Sequence, residues 1–460
     1  KVTCFFFFLA ALCVLANAGT IKDDGHPNDA KDSTETDPAG KPVRRTPTGK
    51  LHDPNFVPTV TKTGSSDDGY EDWAYVDVRE GTHMFWWLYH TYHADGPENR
   101  PLILWLQGGP GGSGAGYGNF DIIGPLRIDQ TERNTTWVKE ANVLFIDNPV
   151  GSGYSYVDEL RHLTTTTQEI TDDLLVVFRT FLDTHPEFEQ TEQPFYVFGQ
   201  SYGGKMAAHF TNQLYREVQE GNFNIKVGGY AMGNAWISPV DSVLTWGGTL
   251  FWMGIVDEPG LADIDTEADI CRVAVDEERW VDATNAYRQT QYAVNRRSNY
   301  VDFYNILKYR VFSSQEESMK HGDMDEVFYQ QNIGYMQTRS LDDIMNGIIN
   351  DKIGIIPEGL IWGAQSDAVF IYQEGDFMKP VVDEMDWSLE NTDMDVIVYQ
   401  GQLDLICDTK GANDFVQKMT WSGLGDYNNA DRNAFVDPDG QTDTFVKANN
   451  KFKYYWNMRA

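Results

Sequence analysis

Three short apolar runs set the strongest limits on how this chain can fold. They occupy residues 102–106, 143–146 and 195–198, and each is followed by a turn rich in Gly or Asn-Pro. Runs of this length without polar alternation are typical of strands buried on both faces of a sheet. A further run of the same character lies at residues 396–399. The pattern predicts an α/β fold with a mostly parallel central sheet.

Helical segments separate these strands. Between the second and third runs, Thr171 can cap a helix whose apolar residues recur at helical spacing. The aromatic stretch from Trp73 to residue 89 predicts a hairpin that precedes the first buried strand. Long acidic helical stretches in residues 238–365 predict an inserted helical cap, which divides the core into residues 70–237 and 366–460.

The N-terminal 69 residues have a different character. The apolar run at residues 5–12 and the sequence Ala16-Asn17-Ala18 are typical of a signal peptide covering residues 1–18, and the run is too short for a membrane anchor. Residues 19–69 are polar and almost free of aromatic residues, which predicts a disordered leader. We therefore expect a protein of the secretory pathway, secreted or lysosomal, with a glycosylation sequon at Asn134.

Charge and cysteine content exclude several classes of protein. The chain has 36 basic and 69 acidic residues and a formal charge of -33, so it would repel nucleic acid and anionic membranes. Two of its four cysteines lie in the expected signal peptide, which leaves Cys271 and Cys407. At most one internal disulfide is possible, a buried free thiol is an equal alternative, and the cysteine spacing predicts no zinc site.

The sequence Gly-Gln-Ser-Tyr-Gly at residues 199–203 follows the third apolar run directly. A helix with apolar residues at four-residue spacing comes next, so Ser201 lies in a strand, turn and helix context. This context is that of the nucleophile elbow, in which a sharp turn presents a serine hydroxyl at the edge of the sheet. We interpret Ser201 as a catalytic nucleophile, and the alternative is an ordinary glycine-rich turn.

A second glycine-rich turn, Gly-Gly-Pro-Gly-Gly at residues 108–112, follows the first apolar run. Its backbone N–H groups reach the same edge of the sheet as Ser201, where they can hold an oxyanion. We expect the amides of Gly109 and Tyr202 to do so. A phosphate-binding loop is disfavoured because the turn has no Gly-Lys-Ser/Thr sequence and no basic residue.

These blocks, together with residues 147–155 (Asp-Asn-Pro-Val-Gly-Ser-Gly-Tyr-Ser), resemble the signature motifs of the serine carboxypeptidases, peptidase family S10. Residues 236–244 and 401–406 are similar to its retinoid-inducible branch. The resemblance extends from about Trp73 to the end of the chain. It implies an α/β-hydrolase fold and cleavage of the C-terminal residue of a peptide, without a metal or other cofactor.

The acid and the base of a triad follow the nucleophile along the chain in α/β-hydrolases. Asp404, just after the run at residues 396–399, fits the acid, and Asp408 is the alternative; the resemblance favours Asp404. No histidine follows Asp404, and His209 lies too far along the helix after Ser201 to act as its base. The family has a Gly-His motif that the resemblance places directly after Ala460, so we expect a truncated chain that is inactive as given.

The resemblance also implies a pocket for the free carboxylate of the substrate. The matching residues are Trp105, Gln107, Gly108 and Gln200, whereas the family more often has Asn and Glu at the two polar positions. A second family glutamate is replaced by Ile122. Gln200 can donate a hydrogen bond at any pH, so we expect substrate binding to depend only weakly on acid pH.

These observations predict a serine carboxypeptidase that acts on peptide or protein C-termini. An esterase or acyltransferase could use the same residues, and a lumenal protein without catalysis could retain the carboxylate pocket. The sequence does not settle the oligomeric state or the preferred terminal residue.

Overall fold

A computed structural model describes residues 56–189, 192–310, 329, 331–332, 334–437 and 439–460. The expected signal peptide and most of the expected leader lie outside the described residues. Within them, twelve strands form one sheet. The strands are β1 Thr59–Ser65, β2 Glu71–Arg79, β3 Thr82–Tyr89, β4 Leu102–Leu106, β5 Asn142–Ile146, β6 Tyr156–Val157, β7 Phe195–Gln200, β8 Val227–Gly233, β9 Asp395–Gly401, β10 Arg432–Val436, β11 Thr442–Ala448 and β12 Phe452–Asn457.

The α-helices lie between and beyond these strands. They are α1 Thr167–Thr184, α2 Tyr202–Gln219, α3 Pro239–Trp252, α4 Glu258–Asp276, α5 Trp280–Ser298, α6 Arg339–Ile344, α7 Asn350–Ile353, α8 Asp367–Tyr372, α9 Glu374–Phe377, α10 Val382–Asn391, α11 Thr409–Lys418 and α12 Leu424–Asn429. Two π-helical segments, Gly114–Ile123 and Met345–Ile349, and several short 3-10 turns complete the described elements.

The strand order is β1-β2-β3-β5-β4-β7-β8-β9-β12-β11-β10, with β6 beside β3. The strands from β5 to β12 in this order pair in parallel, whereas the pairs at both edges are antiparallel. All three apolar runs therefore form neighbouring parallel strands, and the aromatic stretch forms the hairpin of β2 and β3. The predicted α/β fold is confirmed.

Both faces of the sheet are covered by core. In β4, Leu104 and Leu106 belong to one hydrophobic cluster, whereas Ile103 and Trp105 belong to the other. All are nearly inaccessible to solvent. This double burial explains why the central strands lack polar alternation.

Two expectations about local structure were wrong. The first was a disordered leader up to residue 69, because β1 lies within it and pairs antiparallel with β2. Most of β1 is exposed, so backbone hydrogen bonds to β2 keep this strand in the sheet, although its side chains bury little apolar surface. The second was a helix cap at Thr171, because α1 begins at Thr167 and its cap is Thr166, whose hydroxyl accepts from Glu169 N.

The long connection from β8 to β9 contains helices α3 to α10. It corresponds to the insertion expected at residues 238–365, whose exact limits stay a prediction. Cys271 in α4 and Cys407 are both buried and both free thiols, so the possible disulfide is not formed. No helix in the described part of the chain combines the length and the apolar character that crossing a membrane requires.

Candidate active site

Ser201 occupies a strained turn between β7 and α2. Its backbone has φ 55° and ψ -125°, in a region that residues other than glycine rarely adopt. Its N–H donates to Gly233 O at 2.9 Å, and its carbonyl accepts from Gly204 N and Trp236 N. These bonds to β8 and to the segment after it hold the turn in place and present the Ser201 side chain to a cleft.

The turn is tight enough to require glycine on both sides of the serine. A Cβ on Gly199 would lie 2.1 Å from Gly203 O, and a Cβ on Gly203 would lie 2.2 Å from Leu106 O. Contacts this short are not tolerated, so β4, β7 and α2 can meet only through glycine. The G-x-S-x-G sequence thus reflects close backbone packing as well as chemistry.

The loop after β4 lies directly against this turn. A Cβ on Gly108 would be 2.7 Å from Ser201 Cβ and 3.1 Å from Tyr202 N. Gly109 has φ 120°, a conformation that favours glycine. Tyr202 is the first residue of α2, so its N–H has no carbonyl partner within the helix. The expected oxyanion donors, Gly109 and Tyr202, therefore belong to two backbone segments that meet beside the nucleophile.

A cleft of about 430 Å³ contains Ser201. Its lining includes residues from both halves of the core and from the insertion. They are Gln107, Tyr117, Gln200, Ser201, Asn234, Asp302, Tyr304, Tyr335, Asp404, Ile406 and Ala460.

Asp404 is a buried carboxylate in this cleft. Its Oδ2 accepts from Asn234 Nδ2 at 2.8 Å and from Cys407 N at 3.3 Å. Its Oδ1 is buried and has no hydrogen-bond partner among the described residues. Burial raises the pKa of Asp404 to about 7, against the lowering effect of the bonds from Asn234 and Cys407. One oxygen is thus anchored, and the other can accept from an imidazole N–H.

Asp408, the alternative acid, has a different role. Its carboxylate caps α11 by accepting from Gly411 N, and it also accepts from the hydroxyls of Thr245 and Thr249 on α3. Asp408 is not among the residues that line the cleft. Of the two candidates, only Asp404 lines the same cleft as Ser201 among the described residues.

Of the four predicted pocket residues, Gln107 and Gln200 line the cleft with Ser201, Gly108 packs against Ser201, and Trp105 contacts Gln107 from behind. Trp105 Nε1 donates to Gln107 Oε1 at 3.0 Å, and Gln107 Nε2 donates to Gln200 Oε1 at 3.1 Å. This relay fixes the side chain of Gln200 with its oxygen occupied. Its amide nitrogen is then the group that can donate to a ligand in the cleft.

Histidines are absent from the cleft lining in the described part of the chain. His209 lies on α2, where its Nδ1 is 2.9 Å from the hydroxyl of Thr171 on α1. This placement agrees with the prediction that His209 lies too far along the helix to act as a base for Ser201.

Sequence reasoning missed six of the residues that line the cleft. Asn234 anchors Asp404 across 170 residues of sequence, and its Oδ1 also accepts from Gly401 N. The remaining missed residues line the walls and include Tyr117, Asp302, Ile406 and the stacked pair Tyr304 and Tyr335, whose ring centroids are 4.2 Å apart. The one local signal for Asn234 was its position, directly after Gly233 and just before the motif at residues 236–244.

Cys407 is a further neighbour of Ser201. Burial and the charges of Asp404 and Asp408 raise the pKa of its thiol well above the ordinary value, although a hydrogen bond with Ser201 acts in the opposite direction. The thiol is therefore protonated at neutral pH and is a poor nucleophile.

Known proteins match this chain over most of its length. The sequence profile of the serine carboxypeptidases, Peptidase S10, matches residues 58–460. The mouse protein named retinoid-inducible serine carboxypeptidase is 42% identical over 85% of this chain and 87% of its own length. Its human counterpart is 40% identical over 86% and 88%.

Similarity to a solved structure supports the fold independently. The yeast (Saccharomyces cerevisiae) prohormone-processing carboxypeptidase Kex1(delta)p superposes with a TM-score of 0.70 at 17% identity, covering 85% of this chain and 86% of that one. The profile and the relatives cover most of the chain, and the solved structure shares its fold. The chain belongs to the serine carboxypeptidase family.

Proposed function

We propose that this chain is a serine-type carboxypeptidase in which Ser201 is the nucleophile and Asp404 the acid of the triad. One observation is the main support. Ser201, Asp404 and the two amide side chains Gln107 and Gln200 line a single cleft. A nucleophile, an acid and donors for a carboxylate are the groups that removal of a C-terminal residue requires.

In the proposed reaction, Ser201 Oγ attacks the last peptide carbonyl and its proton passes to an imidazole base. The amides of Gly109 and Tyr202 stabilise the resulting oxyanion. The imidazolium then protonates the leaving amine, the terminal amino acid departs, and an acyl-enzyme remains. Water deprotonated by the same imidazole hydrolyses this ester, which regenerates the serine, and Asp404 Oδ1 orients the imidazole throughout.

The free carboxylate of the substrate is held by donors that stay neutral. We assign this role to the Gln200 amide nitrogen and to the Gly108 backbone, which lies against Ser201. Trp105 and Gln107 position Gln200 through their hydrogen bonds. An internal peptide bond has no carboxylate at this point, so the arrangement selects chain ends.

None of the described residues supplies an imidazole to this cleft, so we propose that the chain as given has little activity. Removal of the histidine from a serine triad lowers kcat by about 10⁴- to 10⁶-fold. Ala460 lines the same cleft as Asp404, and its carbonyl accepts from Leu403 N at 2.7 Å.

The test compares three samples on an N-blocked peptide, with release of the free C-terminal amino acid as the measurement. These are the chain itself, the chain with added imidazole, and an extended chain that continues beyond Ala460 with Gly-His. We expect near-zero, weak and full activity in that order. The extended chain with Ser201→Ala is the matched control and should match the unextended chain.

The same assay separates the alternatives. An esterase would cleave a blocked amino acid ester but not the peptide, and an acyltransferase would need an acceptor alcohol or amine. A non-catalytic binding protein would bind the peptide through its free carboxylate, and the extension would not create turnover. Ester cleavage without peptide cleavage, or peptide binding without turnover in the extended chain, would overturn the proposal.

We further propose that the protein enters the secretory pathway and is secreted or lysosomal, with a glycan on Asn134, whose side chain is exposed. Expression in cultured animal cells tests both points. Removal of N-glycans should increase electrophoretic mobility, and Asn134→Gln should abolish that shift.

A further inference from the structure

The hairpin of β2 and β3 and the end of α1 bring two histidines and one aspartate together. Asp72 lies in β2, His90 directly follows β3, and His185 directly follows α1. One ligand atom from each of the three lies within 4.8 Å of the other two. We propose that Asp72, His90 and His185 bind a divalent transition-metal ion of the zinc class, which fastens α1 to the hairpin.

The distances agree with the first shell of such an ion. His90 Nε2 lies 3.1 Å from Asp72 Oδ2, and His185 Nε2 lies 3.5 Å from the same oxygen. Zinc binds imidazole nitrogen and carboxylate oxygen at about 2.0–2.2 Å, so neighbouring ligand atoms of a tetrahedral site are about 3.4 Å apart. Two nitrogens and one oxygen at these spacings leave the remaining position for water.

The surroundings of His185 orient its Nε2 lone pair toward Asp72. His185 Nδ1 lies 3.0 Å from Thr184 Oγ1, and the Thr184 hydroxyl donates its own proton to Phe181 O at 2.8 Å. Thr184 Oγ1 can therefore only accept, which places the ring proton on Nδ1. A partner of this kind, behind a metal-binding histidine, fixes the tautomer that can ligate.

Aromatic packing holds both rings in position. His185 stacks on Phe181 with ring centroids 4.8 Å apart, and His90 stacks on Phe188 at 6.1 Å. His90 Nδ1 has no hydrogen-bond partner among the described residues, so this stacking is what orients the ring. The two histidine side chains are 11% and 13% exposed and that of Asp72 is 28% exposed, so an ion can enter from the Asp72 side.

The cluster is remote from the chemistry of the cleft. Tyr89 pairs with Val143 at the beginning of β5, whereas Ser201 follows the end of the parallel strand β7. The cluster and Ser201 therefore lie at opposite ends of the central strands, and a strand of five or six residues, about 17–20 Å long, separates them. The ion would stabilise the fold and take no part in acyl transfer.

Another histidine of the same hairpin provides the control. His83 contacts Asp77 through Nδ1 at 2.6 Å and Asp158 through Nε2 at 3.4 Å. The two ring nitrogens point in different directions, so the two carboxylates cannot share one ion with His83. His83→Ala therefore removes two contacts between a histidine and an aspartate but leaves Asp72, His90 and His185 unchanged.

The first experiment uses the unaltered chain, stripped with a chelator and titrated with zinc or cobalt(II). We expect one zinc per chain, a rise in Tm, and a cobalt(II) absorption spectrum of a tetrahedral site with nitrogen and oxygen ligands. No bound zinc and no change in Tm at millimolar zinc would overturn the proposal without any variant.

Variants then locate the site. His90→Ala and His185→Ala should each lose zinc binding and the zinc-dependent rise in Tm, whereas His83→Ala should keep both. Thr184→Val retains all three ligands and should weaken zinc binding by about 10- to 100-fold, because it removes the partner of His185 Nδ1. Unchanged zinc affinity in His90→Ala and His185→Ala would also overturn the proposal.

Discussion

At the scale of single residues, two potential nucleophiles are in contact, Ser201, which lines the cleft, and the buried thiol of Cys407. Their environments differ. Ser201 is presented by a strained turn beside the amides that we propose as oxyanion donors, whereas burial and two carboxylates keep Cys407 protonated. Only the serine is arranged for attack.

We expect Ser201→Ala in the extended chain to lower kcat by about 10⁴- to 10⁶-fold. Cys407→Ala should leave kcat within about tenfold, because a thiol with a raised pKa contributes no thiolate. Steady-state kinetics on the blocked peptide measure both. Loss of activity in Cys407→Ala, with its fold intact by circular dichroism, would show that the thiol takes part.

The proposed role of Gln200 predicts how substrate binding responds to pH. In the extended chain we expect KM to change little between about pH 5 and pH 7, since an amide donates at either pH. Gln200→Glu should raise KM by about 10- to 100-fold more at the higher pH than at the lower, because the substrate carboxylate raises the pKa of the introduced glutamate and repels its ionised form.

The matched control for this change is Gln107→Glu, at the other amide of the same relay. Gln107 donates to Gln200 rather than being the donor left for substrate. We expect it to produce a smaller pH dependence of KM. A steep rise in KM for the unsubstituted extended chain, unaffected by Gln200→Glu, would contradict this role for Gln200.

At the scale of elements, the junction of β4, β7 and α2 depends on the absence of side chains. We expect Gly199→Ala to lower the free energy of unfolding by about 1–3 kcal/mol or more and to reduce activity, because the new methyl group meets Gly203 O. Urea denaturation measures the first effect and peptide cleavage the second.

Gly248, in α3, is the control for that substitution. Nothing lies within 4 Å of the position that its Cβ would occupy. Gly248→Ala should therefore stabilise the protein by about 0.5–1 kcal/mol through helix propensity alone. Equal effects of the two substitutions would show that close packing at the elbow is not limiting.

Elements with local sequence signals could be predicted. The apolar runs gave β4, β5, β7 and β9, and glycine spacing gave the turn around Ser201. The start of α1 also had a signal, since Glu169 follows Thr166 at the spacing of a capping box, although Glu169 Oε2 accepts from Thr165 N at 2.7 Å and not from the N–H of the cap residue. The prediction of a cap at Thr171 was wrong because capping propensity by itself does not locate the first residue of a helix.

Features that depend on distant contacts could not be predicted. Asn234 meets Asp404 from 170 residues away, and Tyr304 and Tyr335 reach the cleft from the insertion. β1 has few apolar residues, and only its pairing with β2 makes it a strand. No local pattern encodes such relationships, because they arise from the packing of the whole chain.

At the scale of the whole molecule, several buried carboxyls bear on how stability varies with pH. Burial raises the pKa of Asp404 to about 7 and those of Asp147 and Asp408 to about 6. In the unfolded chain they titrate near 3.9, so between about pH 4 and pH 7 the folded state binds more protons. Stability should therefore fall as pH rises through this range, by on the order of a few kcal/mol.

Asp376 limits stability on the acid side. Burial acts to raise its pKa, but the charge of Lys205 and hydrogen bonds from Thr167 and Lys205 outweigh it and lower the pKa to about 2. Its contribution is complete above the unfolded pKa and is lost as pH falls through 2. Together these groups place maximum stability near about pH 4–5.

Urea denaturation at three pH values from about 4.5 to 7.5 tests this expectation. Asp404→Asn should flatten the decline, whereas Asp383→Asn, which changes an exposed aspartate on α10, should not. Greater stability at neutral than at mildly acid pH would contradict the assignment of these buried groups.

The position of β7 in the sheet has a consequence for how the molecule opens. In the described sheet β7 is the middle strand of the order, with five strands on either side along the path from β1 to β10. Local opening begins at edges and ends, so the amide protons of β7 should exchange with solvent only through global unfolding. Fluctuations that detach β1 or β10 should therefore leave the geometry of the serine turn unchanged.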